Sequence, residues 1–205
     1  VALAAGAVFA LGLGIRQAQP LFISAINSHT GMGYATISLA FGVAQLMWGV
    51  AQPIAGGIAD RWGPRPVMIS GALLVALGTA ATPFATNALA LTLLIGFAAA
   101  VGAGAMGPSL LMSAAARWIP EAKRSVANGI VNAGGSFGQF TLIPLAQLLI
   151  GLAGWQPALI LLGAMGLLAI PLVLYLTSSA SAGAVHAPGA GTLRAALGRA
   201  MSDRS

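Results

Sequence analysis

The chain has 205 residues, of which 58% are hydrophobic and only 6% charged, with a formal net charge of +6 and a mean hydropathy of +0.92. A soluble domain carries about 25% charged residues, so this composition excludes a water-soluble globule and points to an integral membrane protein. The positive charge does not mark a nucleic-acid binder, because Lys and Arg fall between apolar runs and form no stripe with interleaved aromatics.

Apolar runs of about 20 residues, the length a bilayer-crossing helix needs, predict spans at 1–26, 34–59, 67–84, 89–116, 126–152 and 158–176. The short alternating segments of a membrane β-barrel do not occur. The first run is no signal peptide: it is too long, carries Arg16, and precedes further spans. The sequence starts at Val1, so a short cytoplasmic leader is expected ahead of it. Asn27 to Gly33 read as a polar turn, and the stretch from Gly56 to Val67 as a charged knot with a forced reversal at Gly63-Pro64. Asn87 marks a very short turn, residues 117–124 form a second charged loop, and Gly154-Trp155-Gln156-Pro157 turns the chain back.

Arg61 and Arg65 lie in the knot, Arg117, Lys123 and Arg124 in the second loop, and Arg194, Arg199 and Arg204 in the tail, while the intervening turns hold no Lys or Arg. Basic loops favour the cytoplasm, which predicts cytoplasmic termini and an even number of spans. Both charged loops contain Arg-Trp-x-Pro, at 61–64 and 117–120, suggesting two related three-span units. From residue 177 the composition becomes that of a flexible linker. Leu193, Leu197 and Met201 then recur at helical spacing, so the tail is either a short basic amphipathic helix or disordered.

Arg16 sits near the middle of the first span, where a charge costs about 2.5–3.5 kcal/mol on the insertion scale. The acids are Asp60, Glu121 and Asp203, all outside the spans, so Arg16 has no carboxylate partner within them. Either it meets a bound anion, for which a guanidinium is a bidentate match, or it snorkels or pairs with an acid of another polypeptide. Ser38, Gln45 and Gln52 recur every seven residues in the second span. Ser109, Ser113 and Arg117 share a face of the fourth, and Asn128, Asn132, Ser136 and Gln139 share a face of the fifth. Such faces either line a watery cavity or bond helix to helix. Their convergence from several spans favours the cavity, and the expected substrate-contacting set is Arg16, Gln45, Ser109, Asn132, Ser136 and Gln139.

Gly42, Gly49 and Gly56, Gly96 with Gly104, and Gly134 with Gly138 are spaced as close-packing stripes. Pro20, Pro53, Pro108, Pro144 and Pro171 lie within spans and permit kinks. The absence of cysteine excludes disulfides and thiolate metal sites, and His29 and His186 make no metal spacing. No catalytic constellation is visible, so neither an enzyme nor a cofactor is expected.

The knot reads Gly56-x-x-x-Asp60-Arg61-x-Gly63-x-Arg65 and resembles the loop between transmembrane helices 2 and 3 of the major facilitator superfamily, although Pro66 stands where a second basic residue is usual. Arg124 to Ile130, followed by Ala133-Gly134-Gly135-Ser136-Phe137-Gly138-Gln139 and Pro144, looks like the branch of monocarboxylate porters and oxalate–formate antiporters. The resemblance implies an all-α membrane protein with six transmembrane helices, arranged as two inverted three-helix repeats and forming one half of a twelve-helix transporter. It implies residues 1–176 as that half and 177–205 as a central cytoplasmic linker or tail, in a bacterial inner membrane. It also implies a small organic anion as substrate, Arg16 on its carboxylate, alternating access, and the knot residues Gly56, Asp60, Arg61, Gly63 and Arg65 as a conformational latch. The other half would be a further polypeptide or a second copy of this chain. In proton-coupled members the proton-carrying acid lies in that other half, so no coupling is assigned. Two alternatives stand beside this: a drug or cation exporter of the same superfamily, which Arg16 would disfavour by repulsion, and a truncated bundle that transports nothing.

Overall fold

The computed structural model describes residues 1–116 and 119–182, and among these all regular structure is helical. The order is α1 (Ala2–Ala18), a 3-10 turn (Gln19–Phe22), α2 (Ile23–Thr30), α3 (Tyr34–Trp62) and α4 (Pro64–Ala81). Next come a 3-10 turn (Thr82–Phe84), α5 (Ala88–Leu91), a π-helical stretch (Thr92–Ala99), α6 (Ala100–Ala105) and α7 (Pro108–Ala116). A last 3-10 turn (Glu121–Lys123) leads into α8 (Arg124–Ala153), α9 (Trp155–Gly166) and α10 (Ala169–Ala182). The Arg-Trp pair of the second charged loop and the tail stripe Leu193, Leu197 and Met201 lie outside the described residues. The last helix runs past 176, where the final span was expected to end, to Ala182.

Among the described residues, five helical stretches are long and apolar enough to cross a membrane: Tyr34–Trp62, Pro64–Phe84, Ala88–Ala115, Glu121–Ala153 and Trp155–Ser178. The first predicted span is not an unbroken helix, and Pro20 is the reason. Proline has no N–H to donate to the carbonyl four residues back, which is that of Arg16. The N–H of Gln19 takes the Arg16 carbonyl instead, and the chain tightens into a 3-10 turn before resuming as α2. Asn27 then closes this segment by accepting from the Gly33 N–H at 2.9 Å.

The knot is a sharp hinge between α3 and α4. Gly63 has φ 85° and ψ 158°, a region open essentially to glycine alone. Its N–H caps α3 on the Ala59 carbonyl at 2.8 Å, and Pro64 begins α4 where a missing donor costs nothing. Gly63→Ala is expected to lower stability by about 1–3 kcal/mol, measured as the shift in detergent or thermal unfolding of the purified protein. Asp60, Arg61 and Arg65 are exposed around this turn, and no side chain caps the α4 N-terminus.

Interhelix packing rests on small residues. α1 lies along α8, with Gly6 against Gly134 and Ala10 against Gly138. α3 packs on α6 and the π stretch, where Gly96 meets the Ala40 carbonyl and Gly104 meets Ala51 and the Trp48 carbonyl. α4 forms the back, against α6, α9 and α10. The stripe Gly42, Gly49 and Gly56 behaves otherwise than expected. A Cβ at any of the three would meet nothing within 4 Å, so these glycines bring no described helix close, and Gly56 does not draw the knot's helix ends together. They lie on a face of α3 that the other described helices leave open. Two apolar cores fill the bundle, one around Met68, Met106 and Leu111 and one around Phe22, Leu91 and Leu159. Of the membrane-length helices, α3 and α8 stand most exposed.

Candidate functional site

The break at Pro20 places Arg16 in the last turn of α1, directly before the kink. Its side chain crosses to α3. Nη2 donates to Oε1 of Gln45, and Nη1 donates to Oε1 of Gln17 at 3.0 Å. The guanidinium carbon lies 4.7 Å from the ring centroid of Trp48, within cation–π range. Nε is buried and has no hydrogen-bond partner. Every partner of this cation is therefore neutral. Asp60 and Glu121, the acids among the described residues, stand exposed in the two charged loops.

Gln17 extends the network by donating from Nε2 to Oε1 of Gln139 on α8, at 3.5 Å. Arg16, Gln45 and Gln139 are thus joined across α1, α3 and α8. Arg16, Gln17 and Gln45 also line one hollow together with Gln19, Pro20 and Phe41. Ser109 and Asn132 belong to a separate hollow between α7 and α8, shared with Asn128, Ser125 and Arg124. Asn132 is held on its own helix, donating to the Asn128 carbonyl at 2.9 Å and to its Oδ1 at 3.1 Å. Ser136 is exposed on α8 between these two groups. Asn132 and Gln139 are seven residues apart on α8, about 10 Å at 1.5 Å per residue, so one polar face connects the hollows.

Other members of the polar stripes do not join the site. Ser113 bonds back to the Leu110 carbonyl at 2.9 Å, and Gln52 to the Trp48 carbonyl at 3.4 Å. A further groove between α3, α4 and α6 is almost wholly apolar, with Ser70 its one hydroxyl, and offers an anion no charge.

Sequence reasoning missed three contributors. Trp48 lies three residues after Gln45 and therefore on its face, a signal that was available. The link from Gln17 to Gln139 joins residues 122 apart and has no local signature. The same holds for Gln19 Nε2, which donates to Thr79 Oγ1 at 3.0 Å; both residues are buried, and the bond pins the kink to α4. Thr79→Val strands the Gln19 amide and is expected to cost about 1–3 kcal/mol. The double variant with Gln19→Leu should recover much of that loss in the same unfolding measurement.

Residues 3–203 match the family model for the Major Facilitator Superfamily. The chain is 31% identical to human monocarboxylate transporter 11 over 85% of its own length and 38% of that protein's. It is 31% identical to a probable sulfoacetate transporter of Cupriavidus necator, over 75% of this chain and 34% of the relative. It is 30% identical to the oxalate:formate antiporter of Oxalobacter formigenes, over 77% of this chain and 37% of the relative. In each case the match spans under half of the relative's length. With apolar helices fit to cross a bilayer and a family match along nearly its whole length, the chain belongs to the Major Facilitator Superfamily.

Proposed function

We propose that this chain is a six-span half of a secondary transporter that carries small organic anions, monocarboxylates foremost, by alternating access. One observation carries the reading: a guanidinium set among apolar helices, whose hydrogen-bond partners are all uncharged amides. A cation in that setting is poorly compensated, and a carboxylate supplies both the charge and the fork-shaped acceptor it lacks. The names of the relatives, which specify monocarboxylate, sulfoacetate, and oxalate with formate, point to the same class of solute.

In this reading α1, the kink and α2 act together as the first of six spans, and the spans form two inverted three-helix units. The termini and both charged loops face the cytoplasm, as in a bacterial inner membrane. Gly56, Asp60, Arg61, Gly63 and Arg65 latch one conformation. The open faces of α3 and α8 meet a second six-span half, either another polypeptide or a second copy. Arg16, Gln45 and Gln139 form the substrate seat, and Ser109, Asn132 and Ser136 line the path leading to it.

The test is a titration of the purified chain in lipid nanodiscs with radiolabelled lactate and oxalate. Saturable binding that unlabelled anions displace and tetraphenylphosphonium does not is the expected result. Saturable binding of the cation alone would transfer the site to a cation exporter, and binding of neither anion would remove the proposal.

A further inference from the structure

We infer that Gln45 is a built-in competitor of the transported anion: its side-chain carbonyl holds the arm of Arg16 that an incoming carboxylate needs, so anion affinity depends on how readily Gln45 lets go. This rests on the anion reading of Arg16 and alters the part Gln45 plays in it, from substrate ligand to occupant of the substrate's place.

A guanidinium grips a carboxylate along one of two edges. The end-on edge pairs Nη1 with Nη2, and the side-on edge pairs Nε with Nη2. Nη2 is common to both, and Gln45 Oε1 lies on it. Nη2 carries two N–H groups, one toward each edge, and Gln45 Oε1 takes one of them, so a carboxylate gripping that edge meets the Gln45 amide. Nε, on the side-on edge, has no acceptor but is buried. Trp48 covers one face of the guanidinium.

Of the two amides on Arg16, Gln45 is the one free to leave. Gln17 is tied at both ends, accepting from Arg16 and donating to Gln139. Among the described residues Gln45 bonds to Arg16 alone, and it is exposed on the face of α3 that carries Gly42 and Gly49. It can swing out without losing buried contacts. Because an amide is neutral, it satisfies the cation only in part, which suits a placeholder that has to be displaced in every cycle. A tethered carboxylate at the same position would act as a permanent intramolecular anion at millimolar effective concentration.

The experiment is a titration with oxalate and with lactate of the full chain in nanodiscs, comparing wild type, Arg16→Ala, Gln45→Leu, Gln45→Met and Gln45→Glu. Gln45→Leu or Gln45→Met, whichever gives monodisperse protein, should bind oxalate about tenfold more tightly than wild type, the loss of one hydrogen bond to a charged group. Gln45→Glu should bind at least tenfold more weakly. Unchanged or weaker binding by the Leu or Met variant, with Arg16→Ala inactive, overturns the competitor role and leaves the anion site standing. Unchanged binding by Arg16→Ala removes the anion site, and the competitor with it.

Discussion

Replacing Arg16 by alanine is expected to abolish saturable anion binding while leaving membrane insertion and helical content intact. The two halves of this outcome follow from the same geometry. A buried charge in a bilayer costs about 2.5–3.5 kcal/mol on the insertion scale, so removing it favours insertion. What the protein loses is a cation–π contact to Trp48 and two bonds to exposed amides, which water can satisfy instead. The anion loses much more. Two hydrogen bonds to a charged group contribute about 1.5–3 kcal/mol each, so affinity should fall by a factor of a hundred or more. Arg16→Lys keeps the charge but gives up the fork and the flat stacking surface, and should recover only part of the binding. Because Trp48 stacks on the guanidinium, its fluorescence should report oxalate titration, and Trp48→Phe should remove that signal. An Arg16→Ala protein that binds oxalate with the wild-type Kd would show that the anion sits elsewhere.

Gly138→Leu should be the most damaging substitution in the bundle, unseating α1 from α8. A Cβ at position 138 would stand 2.5 Å from the Cα of Ala10 and 2.6 Å from its carbonyl carbon. The obstacle is backbone, so no side chain can rotate aside and the helices must part. Gly14 faces the same seam, its would-be Cβ 2.7 Å from the Gly138 carbonyl oxygen. Overpacking commonly costs about 1–3 kcal/mol, and forcing helix backbones apart places this case at the upper end or beyond. Gly49→Leu is the matched control: it adds the same side chain where a Cβ meets nothing within 4 Å, and should change stability by no more than about 0.5 kcal/mol. Comparing SDS or thermal unfolding of the two variants checks this, and equal losses would refute the packing account. Parting α1 from α8 also pulls Gln17 from Gln139, so Gly138→Leu should weaken anion binding as well as stability.

The sequence alone determined the membrane class and the position of the knot, and it singled out Arg16. These follow from quantities summed along the chain: hydropathy over a span, the left-handed glycine and proline of the knot, and a charge with no acid in reach. It also marked Gly96, Gly104, Gly134 and Gly138 as contact points, and the close approaches at all four bear that out. Tertiary structure alone decided the rest. Gly42, Gly49 and Gly56 carry the same small-residue spacing yet face open space, because periodicity defines a face without saying which neighbour, if any, covers it. In the sequence Pro20 reads only as permitting a kink, and the fold shows that it divides the first helix beside Arg16, whereas Pro53 and Pro144 stay inside continuous helices. Gln17 with Gln139, and Gln19 with Thr79, are brought together only by the packing of α1 against α8 and α4, over sequence separations of 122 and 60 residues. Helical periodicity reaches a few turns along one chain segment, whereas a site assembled from three helices depends on which of their faces meet.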